Sequence, residues 1–169
     1  MSSLKRWIAV LLVAILALGL VACNENGKDG ETEPADEIGF YVNCNGTKIE
    51  LGKSAESVLT ALGEPNSRKE IGDCGGLGAQ VRYDYASVTV YVLESKSGEV
   101  IDEISLKDDL AETSKGIVIG SKESAVRSAY GDPHKTEGDR LQYQSGEGCL
   151  IFTVKDGQVS AIDLVRVTP

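Results

Sequence analysis

Histidine is nearly absent from this sequence, and the shortage limits its catalytic options. His134 is the only histidine, and nothing around it supplies the nucleophile and orienting group that a catalytic histidine needs. The Gly-x-Ser-x-Gly and His-Glu-x-x-His patterns of common hydrolases do not occur either. We therefore interpret His134 as an exposed loop residue, and we expect no catalytic residues and no enzymatic activity.

Basic residues are in the minority, which argues against a nucleic-acid partner. The chain has 17 Lys and Arg residues against 26 Asp and Glu residues, a formal net charge of −9. Without residues 1–22, which hold Lys5, Arg6 and no acid, 15 basic residues face 26 acidic ones and the charge is −11. Because nucleic-acid binding depends on clustered Lys and Arg, we expect no such partner.

Two patterns that could bind a ligand lack the spacing that binding requires. One is a group of four glycines, Gly72, Gly75, Gly76 and Gly78. No Gly-Lys-Ser/Thr follows it, so a flexible connection is favoured over a phosphate loop. The other is a group of four acids, Asp102, Glu103, Asp108 and Asp109. They lack the alternate spacing of a calcium loop, so we expect a solvated turn, no metal and no cofactor.

The N-terminal residues have the pattern of an export signal. Lys5 and Arg6 precede an apolar stretch from Trp7 to Ala22, which is shorter than the roughly 20 residues that cross a bilayer. Residues 20–23, with the sequence LVAC, resemble the lipobox of bacterial lipoproteins. The resemblance implies that residues 1–22 are a signal peptide and that Cys23 carries a lipid. An ordinary secretory signal and a simple signal anchor are the alternatives.

Residues 23–38 have the composition of a flexible tether. Between Asn24 and Glu37 there are six acids, one lysine and no large apolar residue. Such a segment cannot bury enough surface to offset the entropy lost on ordering. With the lipid on Cys23, the tether would hold the folded part on the extracytoplasmic face of the cell membrane, with the membrane itself as one partner.

An internal repeat runs through the rest of the chain. Shifting the sequence by 68 residues aligns Leu51-Gly52 with Ile119-Gly120, and residues 62–65 (LGEP) with residues 130–133 (YGDP). In each copy a helical apolar pattern ends at a glycine, Gly63 or Gly131, that is followed two residues later by proline. Ser54 and Ser121 are the predicted N-caps.

After each helix the apolar period changes from helical to two. Val88 to Val92 and Val100 to Leu106 alternate in the first copy, as do Leu150 to Val154 and Val159 to Val167 in the second. Shorter strands are predicted around 82–85 and 140–144. Asn45-Gly46 and Asp156-Gly157 are strong hairpin signals.

These patterns predict an α+β fold built from two tandem helix-plus-antiparallel-meander repeats, residues 39–110 and 111–169. Each half is too small to be comfortably stable alone, so we expect one shared core. One helix covers only one face of a sheet, so the helices are expected on one face, with the copies joined edge to edge or helix beside helix.

The tandem helix, the Gly-acid-Pro stop and the meander are similar to the repeat of the β-lactamase inhibitor protein family. Residues 73–78 (DCGGLG) and 83–85 (YDY) are closer still to small lipoproteins of clostridia-like bacteria. The likeness covers about Ile49 to Leu164. It implies an inhibitor or regulator of a cell-wall enzyme, such as a β-lactamase or penicillin-binding protein, because that family presents aromatic side chains from its sheet face.

Three cysteines follow Cys23. Cys44 and Cys74 occupy loop-like stretches, whereas Cys149 enters an apolar strand. Outside the cytoplasm this favours a Cys44–Cys74 disulfide and a buried, reduced Cys149, with three free thiols as the alternative.

Three functions remain open: a non-catalytic binding module for an extracytoplasmic protein or envelope polymer, the enzyme inhibitor or regulator, and an enzyme of unrecognised type. We favour the binding module. Its candidate surface is the sheet face away from the helices, where the alternation places Thr89, Tyr91, Ile151 and Thr153. Tyr83, Tyr85 and Tyr143 would extend that face, and core packing is the alternative for each of them.

Overall fold

Alternating apolar residues build most of the described chain into antiparallel strands. The computed structural model describes residues 39–73, 78–96 and 98–167. Cys23, Cys74, the predicted signal peptide and the predicted tether lie outside these ranges. Strand makes up 55% of the structure, which is sheet-dominated rather than clearly α+β as we predicted. The reason is length, because the two described helices have only eight residues each.

The described residues form eleven strands and two helices. In the first half these are β1 (Tyr41–Cys44), β2 (Thr47–Glu50), helix α1 (Ala55–Leu62), β3 (Ser67–Asp73), β4 (Ala79–Asp84), β5 (Val88–Ser95) and β6 (Gly98–Leu106). In the second half they are β7 (Ala111–Thr113), helix α2 (Glu123–Tyr130), β8 (Lys135–Glu137), β9 (Arg140–Ser145), β10 (Gly148–Lys155) and β11 (Gln158–Arg166). Neither described helix is long and apolar enough to cross a membrane.

Eight strands form one antiparallel sheet in the order β3-β4-β5-β6-β11-β10-β9-β8. Each half contributes four neighbouring strands, and β6 pairs with β11 where the halves meet. Ser105 lies opposite Asp163 at the centre of this junction. The edge-to-edge arrangement is therefore the one adopted, with a three-stranded sheet, β2-β1-β7, beside the larger one.

The segment before each helix is fixed to the large sheet in the same way in both halves. Gly52 donates its backbone N–H to Ile101, and Ile101 donates in turn to Lys53, at 2.8 and 2.9 Å. In the second half Gly120 donates to Val159, and Val159 donates to Ser121, both at 2.8 Å. Residues separated by 68 positions thus make equivalent backbone hydrogen bonds.

Both helices end where the sequence predicts. Gly63 and Gly131 each have φ 78°, a left-handed conformation that glycine adopts without steric penalty. Val58 and Val126, at matching positions of the helices, are both buried. Ser54 is the N-cap residue of α1 but makes no side-chain capping bond. The prediction for Ser121 is wrong: Lys122 is the N-cap of α2, and the Ser121 hydroxyl accepts a hydrogen bond from Val118 N–H.

The two predicted Asn-Gly and Asp-Gly hairpins are both present. Asn45 and Gly46 have φ 52° and 82°, and Asp156 and Gly157 have φ 53° and 75°. Positive φ at both central residues is typical of the tight turn whose twist matches antiparallel strands. The first turn joins β1 to β2, and the second joins β10 to β11.

One face of the eight-stranded sheet forms the core. Its side chains are aligned in register across the strands and are almost completely buried: Val81, Val90, Val92, Ile101, Ile104, Leu106, Leu150, Phe152, Ile162 and Leu164. The helices and the three-stranded sheet add Val58, Val126, Val42 and Ile49 to the same cluster. Both helices therefore cover this face, and we call the opposite side of the sheet the open face.

Three tyrosines belong to the covered side and not to the open face. Tyr85 and Tyr143 are 7% and 5% exposed, and Tyr83 packs against the same core. Strand register is the cause, because Tyr83 pairs with the core residue Val90. The packing alternative is therefore the correct interpretation for these tyrosines.

Tyr143 and Tyr85 hold equivalent places but differ in their hydroxyl groups. Tyr143 donates to the carbonyl oxygen of Gly131 at 3.1 Å, whereas the buried Tyr85 hydroxyl has no hydrogen-bond partner among the described residues.

We expect Tyr143→Phe to lower the free energy of unfolding by about 1 kcal/mol. Tyr85→Phe removes an unsatisfied group and should leave stability unchanged or raise it. Urea unfolding of both variants measures the difference, and equal losses would contradict it.

Candidate functional site: the open face of the sheet

A row of side chains crosses the open face at the level of the junction between the halves. Paired positions place one residue from each strand in this row, in the order Ser67, Asp84, Thr89, Ser105, Asp163, Ile151, Gln142 and Lys135. Tyr91 and Glu103 lie opposite each other beside the row in the first half. Thr153 and Ala161 hold the corresponding places in the second half.

The first half of the open face is a polar network around Asp84. Its carboxylate accepts hydrogen bonds from Arg82 at 2.8 Å, from Thr89 at 2.9 Å and from Ser67 at 3.1 Å. Burial alone would raise the pKa of Asp84, but these hydrogen bonds outweigh it and hold the pKa below its usual value. Asp84 therefore stays ionised and fixes three neighbouring strands.

Two carboxylates at the centre of the open face lack a cation. Asp163 accepts a 2.7 Å hydrogen bond from the Ser105 hydroxyl, and no Lys or Arg of the described chain forms an ion pair with Asp163 or Glu103. Burial raises the pKa of Glu103, and the negative charges of Asp163 and Asp102 raise it further. Ionised Glu103 is thus held at an electrostatic cost in the folded state.

Asp102, unlike Glu103 and Asp163, is paired with a cation of the described chain, Arg166. Arg166 donates to it through two nitrogens, at 2.8 and 3.0 Å, and Gln80 donates at 3.2 Å. Arg166 thus ties β11 to β6 across the junction between the halves, and Gln80 ties β4 to β6 within the first half. The acidic centre is therefore neutralised at Asp102 but not at Glu103 or Asp163.

The second half of the open face contains an apolar patch on β10 and β11, with the polar residues Gln142 and Thr153 beside it. Ile151 is 9% exposed, and Val165, Cys149 and Ala161 are half-buried. Cys149 is paired with Val165 across β10 and β11, so these side chains adjoin Glu103, which pairs with Val165 from the other side. The acidic centre of the face thus adjoins an apolar patch along β6 and β11.

Among the residues that the structure describes, Tyr91 is the one aromatic side chain on the open face. It is half-buried between its cross-strand partners Arg82 and Glu103. Burial raises its pKa, as does the charge of Glu103, so the phenol is neutral near pH 7. A neutral tyrosine with a partly exposed ring suits contact with a partner surface.

Four of the predicted surface residues, Thr89, Tyr91, Ile151 and Thr153, lie on the open face but differ in exposure. Tyr83 and Tyr85 lie on the covered side. Tyr91 and Thr153 are half-buried, whereas Thr89 is only 4% exposed and Ile151 only 9%. Thr89 is short, lies in a central strand and is drawn to Asp84 by its hydroxyl, so its neighbours cover it. Thr89 and Ile151 therefore support the face more than they contribute to its accessible surface.

Two of the three cysteines that follow Cys23 lie within the described ranges. Cys44, the last residue of β1, is a free thiol that is 3% exposed and belongs to the core. This leaves the predicted Cys44–Cys74 disulfide without support, and Cys74 itself lies outside the described ranges. Cys149 is free as predicted but only half-buried, since it faces the open side of β10. Burial raises the pKa of both thiols, so neither is an activated nucleophile.

Two shallow clefts lie away from the open face, beside the three-stranded sheet. One of about 150 Å³ is lined by Phe40, Leu51 and the turn 145–148. The other, of about 240 Å³, is lined by Asn43, Asn45, Asp109, Leu110 and Glu112 with Gly46 and Val118. His134 lies in neither cleft, and no group of three or more potential metal-binding residues occurs in the described part of the chain. The turn in the first cleft contributes the hydroxyl of Ser145 and the carboxylate of Glu147.

Comparison of the chain with family models, curated proteins and solved structures finds no match. Its function has to be inferred from the geometry of the open face.

The central carboxylates give a test of the electrostatics. Glu103→Gln should raise the free energy of unfolding at pH 7, on the order of 1 kcal/mol, because it removes a half-buried charge beside Asp163. Since the folded state raises the pKa of Glu103, its carboxyl favours folding at low pH and this advantage is lost as pH rises through the folded pKa. The gain from Glu103→Gln should therefore disappear below about pH 4.

Urea unfolding at several pH values measures this effect. The exposed Glu112 provides a matched control, and Glu112→Gln should show no comparable gain. A Glu103→Gln effect that is equal at pH 4 and pH 7 would contradict the electrostatic explanation.

Proposed function

We propose that this protein is a lipid-anchored, non-catalytic binding module that recognises an extracytoplasmic protein through the open face. The observation that carries the proposal is the sheet itself: eight strands whose one face holds the core, while no other described element covers the opposite face. The open face combines Tyr91, a polar network and an apolar patch. Such a mixture of aromatic, polar and apolar groups is typical of protein interfaces.

We also propose that the two halves are tandem copies of one helix-plus-antiparallel-meander module, residues 39–110 and 111–169. The equivalent backbone hydrogen bonds before the helices and the identical helix ends at Gly63 and Gly131 support this. So does the symmetric order of the eight strands around the β6–β11 pair. In this interpretation the open face exists only because two copies have joined into one sheet.

Inhibition or regulation of a cell-wall enzyme is the second candidate. The position of Tyr91 on a free sheet face favours it, because the inhibitor family that the sequence resembles presents aromatic side chains from such a face. A β-lactamase or penicillin-binding protein would then be the partner. An enzymatic function has less support, because burial raises the pKa of the described thiols of Cys44 and Cys149, so neither is an activated nucleophile.

The open face can be tested by affinity capture from envelope extracts. Tyr91→Ala should reduce the amount of the specific partner at least tenfold, since a central aromatic residue typically contributes more than about 1.4 kcal/mol to binding. Tyr41, a half-buried tyrosine of β1 outside the large sheet, provides the matched control. Tyr41→Ala should bind as the wild type does.

The captured protein decides between the candidates, and its affinity should then be measured by calorimetry with purified components. A wall-active enzyme whose rate falls on binding would support the inhibitor. If wild type and Tyr91→Ala retain the same proteins in the same amounts, the open face is not the binding surface.

Attachment to the membrane is a separate part of the proposal and has its own test. When the full chain is expressed in bacteria with labelled fatty acid, the wild type should carry label and sediment with membranes. Cys23→Ser should lose the label entirely, because its side chain provides no thiol for the lipid. Cys149→Ser is the control and should keep it. If the Cys23→Ser protein still carries label, the lipid is not attached to Cys23 and this part of the proposal is wrong.

A further inference from the structure

The turn between β1 and β2 combines a reactive sequence with an exposed position. Asn45 and Gly46 are both exposed at its tip, and Asn45 is one of two described non-glycine residues with positive φ. In an Asn-Gly pair the glycine has no side chain to block the approach of its backbone nitrogen to the asparagine amide carbon. Asparagine followed by glycine therefore deamidates spontaneously faster than asparagine followed by any other residue.

The reaction needs only water. The Gly46 nitrogen loses its proton and attacks Cγ of Asn45, a new C–N bond forms, and the Cγ–Nδ2 bond breaks to release ammonia. The resulting cyclic imide is then opened by water at either carbonyl. One opening gives aspartate, and the other gives isoaspartate, in which the main chain runs through the former side chain.

The structure also shows what restrains this reaction. Gly46 donates its N–H to Oδ1 of Asn43 at 3.0 Å, so the attacking nitrogen is already engaged. The flanking pair, Cys44 opposite Thr47, holds the turn in its tight conformation. The nitrogen must leave Asn43 and the turn must rotate before Cγ comes within reach.

We propose that Asn45 is a deamidation site and that the side chain of Asn43 sets its rate in the folded protein. Because the Gly46 nitrogen must first leave Asn43 and the turn must then rotate, the modification proceeds slowly in the folded protein. This proposal is independent of the partner that the open face binds.

The product would act on the three-stranded sheet. Either opening of the imide adds a carboxylate to the cleft that already contains Asp109 and Glu112. Isoaspartate also lengthens the main chain by one carbon, which the two-residue turn cannot accommodate without disturbing the pairing of β1 with β2. β1 is the central strand of this sheet and carries the core residues Val42 and Cys44, so the damage reaches the core.

Peptide mapping by mass spectrometry of the full chain tests the proposal after incubation at mildly alkaline pH. The peptide that contains Asn45 is followed apart from Asn26-Gly27, which lies outside the described ranges. Asn45 should convert fastest in urea-unfolded protein, more slowly in folded Asn43→Ala and slowest in folded wild type. The last two should differ about fivefold, the ratio that corresponds to a hydrogen bond of about 1 kcal/mol. Folded Asn43→Asp keeps the acceptor oxygen and should convert as slowly as wild type.

Two outcomes would overturn the proposal. Absence of conversion at Asn45 in the unfolded chain would remove the site, and equal rates in folded wild type and Asn43→Ala would remove the role of Asn43. If circular dichroism shows that Asn43→Ala does not fold, hydrogen exchange of the wild-type Gly46 N–H decides instead. Slow exchange supports the restraint by Asn43, whereas exchange at the rate of an unstructured peptide excludes it.

Discussion

The pairing of β6 with β11 is the interaction on which the rest of the structure depends. Four residue pairs, from Glu103–Val165 to Leu106–Ile162, join two four-stranded halves into one sheet. Because side chains alternate along a strand, the register of this pair determines which residues lie on each face of the sheet. It directs Ile104 and Leu164 into the core and leaves Ser105 and Asp163 on the open face. A slip by one residue would exchange these sets, exposing the apolar residues and burying the acids.

The same register creates an electrostatic conflict at the centre of the open face. Glu103 and Asp163 come together on adjacent strands, with no arginine or lysine of the described chain paired to either, although Arg166 satisfies nearby Asp102. Folding alone would be served better by one apolar or amide side chain there. Where a sequence departs from what stability favours while its core is consistent, the departure points to a function outside folding. This is why the centre of the sheet is the natural place to seek a contact.

The sequence predicted those parts of the fold that leave a local pattern. β5, β6, β10 and β11 alternate clearly because one face of each is buried. β3 (Ser67–Asp73) was missed since all seven residues are exposed, so it has no alternation and pairs only because β4 supplies a partner edge. The short edge strand β8 was missed for the same reason. The sequence predicted the face on which the Thr89 side chain lies but not its burial. That burial depends on a hydrogen bond to Asp84 of the neighbouring strand.

The two halves agree in the core and differ on the open face. About the junction, Val90 corresponds to Phe152, and both are apolar because each is completely buried in the core. On the other side Thr89 corresponds to Ile151, and Tyr91 to Thr153. Packing constrains the first pair, whereas nothing in the described fold requires the second pairs to differ. A symmetric face would present the same groups twice. This face instead presents acidic and aromatic groups in the first half and an apolar patch in the second, so the two halves offer different contact surfaces.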